Sequence, residues 1–150
     1  PVSTIAEALA ASGIDPIRAT GIAELSDGRI GWAFAAAGDA ALVEEQETRH
    51  RVAREWLQAA DYDRLVRATT LADRFSKDRE SVFAELLAVQ LAWRQTMVDA
   101  VHAARSDSPH AAPQAASAVR SVERCILDLE ANVRPRLAMQ SMVLQWPTLA

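Results

Sequence analysis

Aromatic residues, cysteine and glycine are scarce in this 150-residue chain, which has four Trp, three Phe, one Tyr, one Cys and five Gly. A lone cysteine excludes an intrachain disulfide. Cys125 lies among apolar residues and is expected to be a buried, inert thiol in a reducing compartment. Five dispersed glycines exclude a glycine-rich phosphate loop. β-Branched residues nowhere cluster in alternating runs, which argues against strands. No apolar run approaches the roughly 18 residues of a membrane helix, and no secretory signal pattern occurs. Neither membrane insertion nor secretion is supported, so a cytoplasmic location is expected. A basic block is missing too. Residues 1–42 carry 5 acids and 2 arginines, 43–105 carry 11 acids and 10 bases, and 106–150 carry 4 of each, for a net charge of −4. Strong autonomous DNA binding through phosphate neutralisation is therefore not expected.

What the chain does have is alanine, roughly a fifth of all residues, together with apolar positions at helical spacing. The reading is all-α: a short three-helix lid-like unit over residues 1–42, followed by a five-helix bundle over 43–150. Thr4 and Glu7 have capping-box spacing before Ile5 and Leu9, and Gly13 is a left-handed stop. Asp15-Pro16 is an N-cap with a first-turn proline, opening a helix expected to bury Ile17, Ile22 and Leu25. Gly21 within it is read as a close approach of another helix. Ser26-Asp27-Gly28 turns into a third helix carrying Ile30, Trp32, Phe34 and Ala37 to Gly38. Asp39 then caps a longer helix, with Leu42, Ala53, Trp56, Leu57 and Ala60 inward.

The next helix, 62–75, carries Leu65, Val66, Ala68, Leu71, Ala72 and Phe75. The longest starts at Ser76 or Asp78 and runs to about Arg105, with an apolar series from Val82 to Val101. "SDSPHAAPQAA", residues 106–116, reads as a mobile connection. A helix over 114–131 has a stripe of Val119, Val122, Ile126 and Leu129. Residues 135–145 close the chain with apolar side chains around most of the helix, which implies either burial or an exposed apolar patch covered by partners, on this helix or on the long one.

Candidate chemistry is thin. Glu47 with His50, and Asp99 with His102, have the acid-x-x-His spacing by which di-metal bundles hold iron or manganese. Such a site also needs an inward Glu from each of two further helices, and these are missing. Arg49 and Arg51 flank His50 and oppose a cation, so no metal is expected. The helix–turn–helix over 15–37 offers Arg29 and then apolar residues, where base reading needs polar and basic side chains. No G-x-S-x-G turn or recognisable His–Asp partnership accompanies the serines. Arg49, Arg51 and Arg54, and Arg64, Arg67 and Arg74, form two basic stripes expected to pair within their helices with Glu45, Glu47, Asp63 and Asp78. No catalytic residue and no cofactor site is expected. A di-metal enzyme and a DNA-binding regulator remain as alternatives to a structural role.

Three stretches point to a family. "AELSDGRIGWAFAAAGD", residues 23–39, resembles the end of the small helical lid of clamp-loader AAA+ proteins. "LLAVQLAWRQTMVDAV", residues 86–101, is similar to the long collar helix of the delta-prime subunit of the bacterial DNA polymerase III clamp loader, with the Trp93-Arg94 step. "LDLEANVRPRLAMQSMVLQWP", residues 127–147, resembles that family's C-terminal signature, through Asn132, Pro135 and Leu137. The resemblance runs in order over nearly the whole chain. It implies a non-catalytic stator of DNA replication, with residues 1–42 as lid and 43–150 as the collar that closes five subunits into a ring. Delta and the motor subunits would be the direct partners. The sliding clamp and primer-template DNA would be met only through the assembled complex, and ATPase activity would lie in other subunits.

One departure separates this chain from the ATP-hydrolysing relatives. There the turn leads into Gly-x-x-Arg, whose arginine touches the nucleotide phosphates. Here Gly28-Arg29-Ile30 is followed by Gly31, which removes that arginine and any cofactor contact it would make. Arg29 lies two positions earlier, about 200° around the helix. A glycine serving only close helix packing is equally compatible with the sequence. The resemblance also implies a nucleotide-binding domain upstream of Pro1.

Overall fold

The structure is a computed structural model that describes residues 1–103 and 110–148. It is all-α. The described residues form α1 (Val2–Ala11), α2 (Pro16–Leu25), α3 (Ile30–Gly38), α4 (Ala40–Gln58), α5 (Asp61–Phe75), α6 (Arg79–Ala103), α7 (Ala111–Glu130) and α8 (Pro135–Val143). They pack as two compact units, Pro1–His50 and Arg51–Ala150. The division falls inside α4, eight residues beyond the 42/43 boundary expected from sequence. The chemical reason is local: Gln46 donates to Leu25 O and to Asp27 Oδ2, at 3.2 and 2.8 Å, holding the first half of α4 to the α2–α3 turn.

In the first unit α1, α2 and α3 pack against one another around Ile5, Leu9, Ala19, Ile22, Ala23, Ala33 and Ala36. Alanines supply most of this core, so the helices approach closely and the larger side chains turn outward. That corrects the inward reading of Ile17, which is 84% exposed; Ile30 and Phe34 of α3 are exposed as well. The Thr4–Glu7 capping box does not form either, because α1 already begins at Val2 without a side-chain cap. Gly21 meets no atom within 4 Å at a Cβ position, so no helix approaches it closely.

The helix stops follow their local chemistry. Asp15 accepts from the amides of Ile17 and Arg18, with Pro16 at the first turn. Past α1, Gly13 is left-handed (φ 89°), with Gly13 N–H bonding Ala10 O and Ile14 N–H bonding Leu9 O. These are the paired bonds of a Schellman stop, and Ile14 packs on the core below it. Asp39 breaks the chain between α3 and α4 and accepts from Ala41 N–H.

The second unit contains the remainder of α4 with α5, α6, α7 and α8. The α6–α7 pair is its largest helix contact, and α8 packs on α5 and α7. Trp146 stands edge-on to both Trp56 and Trp93, with ring centroids 5.9 and 5.5 Å apart, and its indole N–H donates to Ser121 Oγ. Edge-to-face pairs of this kind add to the area they bury. Val82, Leu86, Val89 and Trp93 of α6 meet Val119, Val122, Cys125 and Leu129 of α7 in one core cluster. Ala60 and Val66, expected inward, are exposed. Of the connection expected over 106–116, residues 106–109 lie outside the described residues. Residues 111–116 belong to α7, whose first turn accommodates Pro113.

Candidate interaction surfaces

The turn between α2 and α3 is built on two successive left-handed residues, Asp27 (φ 50°) and Gly28 (φ 81°). Arg29 N–H closes the turn onto Ser26 O at 2.9 Å. Asp27 Oδ2 gathers Gln46 Nε2 at 2.8 Å, His50 Nε2 at 3.2 Å and Arg29 Nη2 at 3.4 Å. His50 is thus engaged by the turn, a partnership that the acid-x-x-His spacing with Glu47 did not reveal. The Arg29 guanidinium folds back onto Ser26 O and stacks 5.7 Å from the Trp32 ring centroid. It is committed to its own turn.

Gly31 is the second residue of α3, and a Cβ there would meet nothing within 4 Å. Close packing therefore does not require glycine at this position. Local sterics would admit a longer side chain there.

The C-terminal corner forms from its sequence in a direct way. Asn132 is left-handed (φ 62°), with Asn132 N–H bonding Leu129 O at 3.2 Å and Val133 N–H bonding Asp128 O at 2.8 Å. Val133 packs on the core, completing a second Schellman stop, and Pro135 opens α8. The new helix is then divided. Ala138, Met139, Met142 and Val143 are buried, whereas Leu137 and Leu144 are 62% and 70% exposed. Seven residues apart, these two leucines share one face.

α6, the longest described helix, leaves an apolar stripe open. Leu87, Leu91, Val98 and Val101 are between 37% and 57% exposed. Their spacing confines them, with exposed Arg94 in the middle, to a sector of roughly 80° and a length of roughly 20 Å. The buried residues Val82, Leu86, Val89 and Trp93 occupy a different side of the same helix. Sequence reading named the apolar series without dividing it, and allowed an exposed patch on this helix or on 135–145. The division shows in the sequence as apolar residues on two stripes of one helix, more than a single packed face needs.

The arginines are used differently from expectation. Arg49 pairs with Glu45 on its own helix, but Arg67 reaches Glu55 and Arg74 reaches Glu85 across helices, at 3.3 and 3.0 Å. Arg64 is buried and donates to Leu57 O and Pro147 O at 2.6 and 2.9 Å. A shallow groove between α4 and α5, lined by Glu55, Gln58, Ala59, Asp63, Val66 and Arg67, brings together no nucleophile and base. Among the described residues no group of three or more His, Cys, Asp or Glu is placed to hold a metal ion. No described helix is long and apolar enough to cross a membrane. Comparison with family models, curated proteins and solved structures gives no match.

Proposed function

We propose that this chain is a non-catalytic scaffold of a DNA clamp loader, a delta-prime-like stator that joins delta and the motor subunits during replication. The observation that carries the reading is the ordered series of three stretches, 23–39, 86–101 and 127–147, at the spacing of the lid end, long collar helix and C-terminal corner of that family. Two features of the geometry are in keeping with it. Gly31 supplies no side chain at the nucleotide-sensing position, and Arg29 is occupied by Ser26, Asp27 and Trp32. The open apolar face of α6 has the character of a surface that neighbours cover in an assembly.

The purified chain should neither hydrolyse ATP nor bind it with useful affinity. Calorimetric titration with ATP and a phosphate-release assay across the chromatographic peak test this. Turnover that survives purification and follows the protein peak would overturn the stator reading.

A further inference from the structure

We draw no further inference here: the strongest candidate, the open apolar stripe of Leu87, Leu91, Val98 and Val101 on α6, carries none because nothing in the structure shows what covers it.

Discussion

Arg64 stands on the first turn of α5 yet is 1% exposed. Its guanidinium donates to Leu57 O and Trp56 O at the end of α4 and to Pro147 O near the C-terminus, and it lies 5.6 Å from the Trp146 ring centroid. Burial lowers its pKa from the ordinary arginine value, and the Asp61 carboxylate opposes that shift. Three carbonyls rely on one side chain, so Arg64→Met leaves buried acceptors unpaired and should lower stability by about 3 kcal/mol in urea denaturation. Arg64→Lys restores the charge without the fork and should recover only part of the loss. A loss under 0.5 kcal/mol (roughly the range of ordinary surface substitutions) would show that the clasp contributes little.

Cys125 gives a second test at this scale. Burial, aided by the nearby Asp128 carboxylate, pushes its thiol from 9.0 up to about 12. The folded state favours the neutral thiol, so this contribution is complete below pH 9.0 and is lost as pH rises toward about 12. Ellman's reagent at pH 8 should label Cys125 only after unfolding. Stoichiometric labelling of the native protein within minutes would contradict the buried placement.

At the scale of elements, the sequence was most legible where local chemistry alone decides. Asp15-Pro16, Gly13, Asp39 and Asn132 set helix ends through bonds to their own neighbours. Side-chain direction was less legible. Ile17 reads as core because it is large and apolar, but a core of close-packed alanines leaves it exposed. On α6, apolar residues on two stripes leave the choice of buried face to α5 and α7, and helical periodicity cannot supply that tertiary information. The network of Asp27, Gln46 and His50 escaped notice because Asp27 lies 19 and 23 residues from the other two.

Two glycine substitutions test the local account in opposite directions. Gly31, the second residue of α3, has helical backbone and open space, so Gly31→Ala should stabilise by about 0.5 kcal/mol or less, below the helix-interior value. Gly13 is left-handed, so Gly13→Ala should destabilise by about 1 kcal/mol despite equally open space. Denaturation of each variant followed by circular dichroism reads both changes. Equal effects of the same sign would contradict the backbone argument.

For the whole molecule, the proposed scaffold role falls to two compact units, each with its own part. The α2–α3 unit has a closed, self-engaged turn at the proposed nucleotide-sensing position. The α4–α8 unit buries three tryptophans in its core and leaves an apolar face open. A scaffold reading makes assembly, rather than turnover, the property to measure. Native mass spectrometry of the chain mixed with delta and the motor subunits tests it most directly. The account predicts a ring-sized complex of five subunits containing one copy of this chain, formed at micromolar concentration. A mixture in which the chain remains a free monomer beside an otherwise assembled set of subunits would contradict it.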